Sequence, residues 1–519
     1  MELPAARRVA VVGAGASGLA AARALLRSGI TPTVFEGTHS VGGTWVYDGA
    51  RTDAGAREPS CNSMYRSLMT NLPKEVMRFA EFPFSDSFKR SFLHHSDVLR
   101  YLEEYAKSFD LLRWIRFGRR VRAVRPLDPS RPGTPWEVVS CADCGEPAAK
   151  GTAEETCNSA SDGGPVQEVF DGVVVCNGHY TWPHMPRLPG ADVWPGRLEH
   201  SHNYRVPDGY TDKVVVVVGA GASGVDIGRE LARVARRVIA SVRTPAAPVA
   251  SAAAAPAASP ATTAAAAAAS AEEEVCDPGD VPVIGDVVDP TSGIEQRPPP
   301  TALHADGRVE FADGSCVNAD VVMWCTGYEY HLPFLNAEWF LAPADAGTES
   351  PRCSAGESKG DDHGSSSAVH GGDGGGFRGR LLRPLHWHTF HARWPTLSFV
   401  GIPFKIAPFP FAELQSTWIA RCLAGASRLP SPQEMAAEEE AAELARVERG
   451  TPAHHGHMLG PKQWPLARRM AEAAGVSPPD PRVEAMYNDT GAARRANPGG
   501  YRAREYRLID GGRWSVVTE

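Results

Sequence analysis

Two glycine triplets, each placed between an apolar run and an amphipathic stretch, constrain this chain more than any other feature. Gly13-Ala14-Gly15-Ala16-Ser17-Gly18 follows Val9–Val12 and opens Leu19–Arg27, which is rich in alanine and leucine and stops at Gly29; Thr33–Phe35 reads as a second strand. Gly219-Ala220-Gly221-Ala222-Ser223-Gly224 repeats the pattern. It lies between the all-valine run Val214–Val218 and a predicted helix Val225–Val234, with a strand expected at Val238–Val242. In a strand–turn–helix setting the first glycine permits the tight turn, and the second lets the backbone approach a pyrophosphate. The third lets the helix pack closely on the strand. The free N–H groups at the helix start then hold phosphate. A merely structural tight turn is the bland alternative. Continuous apolar strands alternating with helices predict parallel sheets covered on both faces, an α/β chain with two Rossmann-like dinucleotide-binding domains.

The residue types downstream of each triplet distinguish the two sites. Glu36 stands roughly 20 residues beyond the first turn, at the end of the second strand, where a carboxylate accepts hydrogen bonds from ribose hydroxyls. At the matching place in the repeat there is no carboxylate, and Ser241-Val242-Arg243 stands instead. A guanidinium pairs with a 2′-phosphate that a carboxylate repels, so this site reads as NADP(H) rather than NAD(H). The alternative for Arg243 is an ordinary surface cation. Two dinucleotide sites in one chain imply electron transfer from nicotinamide to a second cofactor, most simply a flavin.

Composition narrows the partners. The 519 residues carry 53 Lys and Arg against 61 Asp and Glu, a net charge of −8 with no basic run, which argues against nucleic acid or an anionic membrane surface. No apolar run approaches the roughly 20 residues that span a bilayer. The first apolar run leads straight into the glycine motif, and Trp514–Glu519 matches no retention tail, so a cytoplasmic protein is expected. The ten scattered cysteines fit reduced thiols, and Cys176 and Cys325 end apolar runs that read as core strands.

Three stretches, 141–166, 245–280 and 345–377, hold too few apolar side chains to offset ordering entropy and are expected to be disordered. Ala264–Ala269 is too short for a membrane span. Asp313–Gly314 reads as a hairpin turn between Val309–Phe311 and Val317–Trp324, and Ser96–Phe109 as a helix with Ser96 at its N-cap. Cys141 and Cys144 are the close pair, joined by Cys157 as a zinc alternative, and His454, His455 and His457 read as an exposed loop.

Trp194-Pro-Gly196-Arg-Leu-Glu-His200-Ser-His-Asn-Tyr204 resembles the F-x-G-x-x-x-H-x-x-x-(F/Y) signature of the flavin-containing monooxygenases, with Trp194 in place of the usual Phe. Gly42-Gly43-Thr44-Trp45, Thr70-Asn71-Leu72-Pro73-Lys74, Cys325-Thr326-Gly327-Tyr328 and Pro408-Phe409-Pro410-Phe411, with Glu413 and Gln415 after it, resemble further family segments in the expected order. Within the family, Cys176–Tyr180, His200–Pro207 and Tyr328–Phe334 are similar to the plant-type branch of glucosinolate S-oxygenase-like proteins.

The resemblance implies an FAD domain from residues 1–189 and 326–519 with an NADPH domain, 190–325, inserted into it. It implies that Gly13–Gly18, Glu36, Gly43, Thr44 and Trp45 hold FAD and that Gly219–Gly224 and Arg243 hold NADPH. Thr326, Gly327 and Gln415 are further cofactor contacts. It places Asn71 beside the reactive edge of the flavin as both a cofactor contact and the catalytic amide, since an amide donates without being consumed as an acid; the alternative is a turn residue before Pro73. His200 reads as a structural histidine that shapes the domain junction. The implied reaction passes a hydride from NADPH to the flavin, captures O₂ as a C4a-hydroperoxide and transfers one oxygen to a small sulfide or amine. A Baeyer–Villiger or decarboxylating monooxygenase is the related alternative, the former disfavoured by Tyr204-Arg205. A disulfide reductase needs paired cysteines beside the flavin, and a non-catalytic FAD- and NADP-binding sensor or scaffold is the reading from another class.

Overall fold

A computed structural model describes residues 1–3, 5–49, 63–142, 164–242, 293–340, 376–509 and 512–518. Two compact units emerge: Met1–Pro186 with His200–Gly209 and Thr326–Glu519, and Arg187–Glu199 with Tyr210–Cys325. The second is inserted into the first along the chain, and the short segment 200–209 returns to the first.

The first unit is built on a seven-stranded sheet in the order Leu385–His386, Phe390–His391, Leu397–Phe399, Gly172–Val175, Arg8–Val12, Thr31–Phe35, Ile115–Arg116. Arg8–Val12 runs parallel to both its neighbours. Its valines show why a continuous apolar run forms a central strand. Val9 and Val11 face a core that contains the helices Ala16–Arg27 and Pro408–Leu423. Ala10 and Val12 face a second core containing Val121, Trp136, Val138 and Phe170. That second face is therefore covered by strands, the antiparallel Arg119–Pro126, Trp136–Ala142 and Val166–Phe170.

The second unit repeats the scheme. Its five strands run Glu295–Arg297, Arg237–Ser241, Val214–Val218, Val321–Trp324, Arg197–His200, with the helix Ala222–Leu231 after the central valine strand. The sheet Pro300–Leu303, Arg308–Phe311, Cys316–Asn318 supplies Leu303, Val309, Phe311 and Val317 to the core that also holds Val214 and Val216. The signature's Trp194 lies in this core, and its ring folds over Gly196: a Cβ there would sit 2.3 Å from the indole. That contact explains the spacing of these two residues.

Several local expectations need correction. The hairpin at Asp313–Gly314 forms, yet Val317–Trp324 is two strands in two sheets, because the chain turns at Asp320, whose backbone and carboxylate both bond Val214. The helix predicted from Ser96 runs His95–Ser108 and is capped by His94, whose ring accepts the Ser96 N–H. Cys141 belongs to the buried strand Trp136–Ala142 rather than to an insertion, and Val166 and Gly376 begin strands. His457 is buried, accepting the Leu382 N–H at 3.0 Å, and not part of an exposed loop. The interiors of the three low-complexity stretches, with Cys144, Cys157 and Ala264–Ala269, lie outside the described residues. Among the described residues no helix is long and apolar enough to cross a membrane.

The buried Trp136 donates its indole N–H to Thr396 Oγ1 at 2.9 Å, and Thr396 Oγ1 lies 3.1 Å from the Thr134 carbonyl. Thr396→Val keeps the shape and strands both partners, so urea denaturation is expected to show a loss of about 1–3 kcal/mol.

Candidate active site

The two glycine turns have the same construction. Gly13 and Gly219 sit at φ +101° and +108°, a left-handed region that a side chain strains. The Gly13 N–H donates to Phe35 O at 2.8 Å, and that of Gly219 to Ser241 O at 3.1 Å. A Cβ on either would lie 2.6 Å from a carbonyl oxygen, that of Cys176 or of Cys325, the residue closing the neighbouring strand. A Cβ on Gly18 or Gly224 would lie 1.9 Å from the Gly13 or Gly219 carbonyl. The helices start at Ala16 and Ala222 with extended Gly15 and Gly221 as N-caps, and neither has a side-chain cap. Ser17 and Ser223 fall in those first turns. Uncapped N–H groups and a positive helix end are what a pyrophosphate takes up.

In the first unit a second loop completes the cradle. Gly42 N donates to Ala14 O at 3.1 Å, and the Gly43 Cα is 3.6 Å from where a Gly15 Cβ would be, so two backbones pass with no side chain between them. Gly43–Trp45 forms one 3-10 turn; Thr44 bonds Ser63 at 3.2 Å and Trp45 meets Phe409 edge to face at 6.3 Å. Glu36, 8% exposed, accepts from Ala14 N at 2.7 Å and from the Thr38 amide and hydroxyl at 2.8 Å. Four lone-pair sites on a carboxylate leave one for a ribose hydroxyl. At Gly221 no described residue lies within 4 Å of an added Cβ. These residues fit an FAD at the first turn and a nicotinamide dinucleotide at the second.

Asn71 sits in a bend between two anchored neighbours. Thr70 N donates to Leu93 O at 2.8 Å while Thr70 Oγ1 accepts from Leu93 N at 3.0 Å, and Lys74 N donates to Ser91 O at 2.7 Å. Leu72 packs against two core clusters. The half-buried Asn71 side chain has no hydrogen-bond partner among the described residues. The backbone is held and the amide is left unspent.

One other expected contact, Gln415, turns out to be structural. Gln415 is 0% exposed: its Oε1 accepts the Gly401 N–H at 3.1 Å and its Nε2 donates to Thr389 Oγ1 at 2.9 Å. Its side chain therefore has no face for a cofactor, and it acts by fixing Gly401, where a Cβ would come within 2.7 Å of Ser17 Oγ. Sequence reasoning missed Gly401, and only this long-range packing reveals it. Thr326 donates its hydroxyl to His184 O at 2.6 Å, and Gly327 O accepts from His184 N and from the His200 ring, both at 3.0 Å. His200 also accepts the His202 N–H on Nδ1 at 3.0 Å, so it is a neutral, buried, structural imidazole, as its sequence context suggested. Arg243 lies outside the described residues.

Burial pushes the His200 pKa down to about 3, and neighbouring imidazoles add to that. His391, bonded to Trp339 O and to two backbone N–H groups, is pushed down to about 4 by burial. Burial also raises the Cys176 thiol far above its usual range, so it is no thiolate nucleophile.

Comparison with known proteins is consistent with this geometry. The pattern of the Flavin-binding monooxygenase-like family matches residues 6–252, and that of the Pyridine nucleotide-disulphide oxidoreductase family residues 170–349. The flavin-containing monooxygenase FMO GS-OX-like 4 of Arabidopsis thaliana is 34% identical over 95% of this chain and 93% of its own. This chain belongs to the flavin-containing monooxygenase family. FMO GS-OX5 of the same plant is also 34% identical, over 91% of this chain and 85% of its own. Among solved structures, the S-allyl-L-cysteine S-oxygenase of Allium sativum aligns with a TM-score of 0.73 and 33% identity, covering 96% of both chains. Tmm from Pelagibacter, 19% identical with a TM-score of 0.68 over 98% of this chain and 96% of its own, shares the fold. The protein is thus an oxidoreductase of the plant-type GS-OX-like branch, using FAD and NADPH in α/β dinucleotide-binding domains.

The site generates two measurable outcomes. Glu36→Ala strands the Ala14 and Thr38 amides and is expected to weaken FAD binding about 10-fold or more in titrations of the FAD-free protein, since bonds to a charged acceptor contribute about 1.5–3 kcal/mol. The buried histidines have folded pKa values below their unfolded ones, so below the ordinary histidine pKa the unfolded chain binds more protons. Their stabilising contribution is present near neutral pH and is lost as pH falls from about 6.5 toward the folded values, with a slope of up to about 1.4 kcal/mol per pH unit for each. Replacing His200 with Gln should flatten the fall of Tm across that window; an unchanged slope would show that His200 titrates normally.

Proposed function

We propose that this enzyme S-oxygenates a small thioether in the cytoplasm: R₂S + O₂ + NADPH + H⁺ → R₂SO + NADP⁺ + H₂O. The observation that carries this reading is the 33% identity across 96% of both chains with a solved S-oxygenase. When bound, FAD supplies reduction by NADPH and activation of O₂. The protein's own residues do the rest. Gly13–Gly18, Glu36 and Gly43–Trp45 bind FAD, and Gly219–Gly224 with Arg243 bind NADPH, whose 2′-phosphate the guanidinium selects. Asn71 presents an amide that donates to the reacting oxygen and holds it while the sulfur lone pair attacks. An amide suits that task because it stays uncharged and gives no proton to a nucleophile that must keep its lone pair.

Purified protein should oxidise NADPH with thioethers such as S-allyl-L-cysteine and release the sulfoxide in proportion, with little H₂O₂. NADPH oxidation that yields peroxide alone with every thioether tried would remove this assignment, and an N-oxide from amines in its place would move it to nitrogen. Asn71→Ala is expected to lower the sulfoxidation kcat by about 10²-fold, the typical cost of one oxyanion donor, while a growing share of NADPH goes to peroxide.

A further inference from the structure

The Asn71 segment is held from a distant part of the chain. Arg502 Nε donates to the Thr70 carbonyl at 2.9 Å, so a charge-assisted bond fixes the peptide plane that enters Asn71. Arg502 lies in the short Tyr501–Ala503 turn, its guanidinium 5.0 Å from the Tyr501 ring, and the buried Tyr501 meets Phe92 edge to face at 5.3 Å. The adjoining hairpin, Arg504–Ile509 with Arg513–Thr518, grips the other side of the same loop. Glu505 accepts the Ser91 N–H at 2.8 Å and pairs with Arg90, whose carbonyl accepts from the Lys74 ammonium at 2.9 Å. Tyr506 N donates to Ser91 Oγ at 2.7 Å. Ser91 and Leu93 are the residues that bond Lys74 and Thr70, on either side of Asn71. The C-terminal turn and hairpin therefore reach the Asn71 segment twice, through residues 90–93 beside it and directly through Arg502.

We propose that Arg502 is a positioning residue for oxygen transfer, orienting the Thr70–Asn71 peptide so that the Asn71 amide is aimed and left free. This rests on Asn71 being the amide that donates to the reacting oxygen. Satisfying the Thr70 carbonyl does not by itself require a cation, since any neutral donor would do so. A guanidinium adds a fixed direction, and a misplacement of about 1 Å at a reacting group is enough to lower a rate about 10²-fold.

The test uses the full-length protein carrying FAD, with Arg502→Ala, Arg502→Lys, Asn71→Ala, the double variant and Asp489→Asn. Asp489 bonds Arg504 and the Tyr506 hydroxyl, so its variant loosens the hairpin without touching Thr70. Arg502→Ala should lower the sulfoxidation kcat about 10-fold with KM little changed, and raise peroxide per NADPH several-fold; Arg502→Lys should recover part of both. In the Asn71→Ala background, Arg502→Ala should add nothing further. In FAD-free protein, hydrogen exchange in a peptide spanning residues 64–77 should rise in Arg502→Ala. Asp489→Asn should lower Tm and leave the peroxide share alone. If Asn71→Ala diverts electrons to peroxide and Arg502→Ala does not, or if Asp489→Asn diverts them equally at equal loss of Tm, the positioning role is overturned and the Asn71 reading stands. If Asn71→Ala itself leaves the coupling intact, the Asn71 reading falls and takes this inference with it.

Discussion

The molecule depends on a contact that only glycine allows. At each dinucleotide turn the third glycine lies so close to the carbonyl of the first that an added methyl would be 1.9 Å from its oxygen, and the first glycine meets the end of the neighbouring strand nearly as closely. The helix is thereby pulled onto the strand, and its uncapped N-terminus ends up at the carboxyl ends of two adjacent strands. Phosphate binding is a consequence of that placement. The same distances recur in both units, so one local solution serves two different cofactors.

Two buried polar groups of the first unit are fully committed. Gln415 spends both ends of its amide on Gly401 and Thr389, and His200 spends both ring nitrogens on backbone groups. Buried groups satisfied in this way are rigid, because breaking one bond exposes a desolvated donor or acceptor. Asn71 is the contrast: its neighbours are fixed by backbone bonds and by Arg502, while its own amide has no partner among the described residues. Fixed backbone bonds on either side of an unspent amide are what a preorganised site requires.

Much of this was legible in the chain because it is local. The glycine triplets, their valine strands and the acidic residue after the first turn are set by short-range chemistry, and periodicity locates the helices beyond them. Pairing and long-range packing were less so. Val317–Trp324 reads as one strand until Asp320 is seen bonding Val214, and what covers the second face of the large sheet is seen only when Trp136 and Phe170 are found filling it. Gln415 resembles a cofactor ligand in its segment and becomes a brace for Gly401 only in three dimensions.

The sequence by itself determined that two dinucleotide turns exist, which carries the carboxylate, and which family the chain belongs to, because a tight turn depends on the residues in it. Only the tertiary structure decided which polar side chains are spent and which are free, since a hydrogen bond between Thr70 and Arg502 joins residues that no local rule relates. The physical reason is range: backbone conformation is dictated by neighbours in the chain, whereas the satisfaction of a buried polar group is dictated by whatever the fold brings beside it.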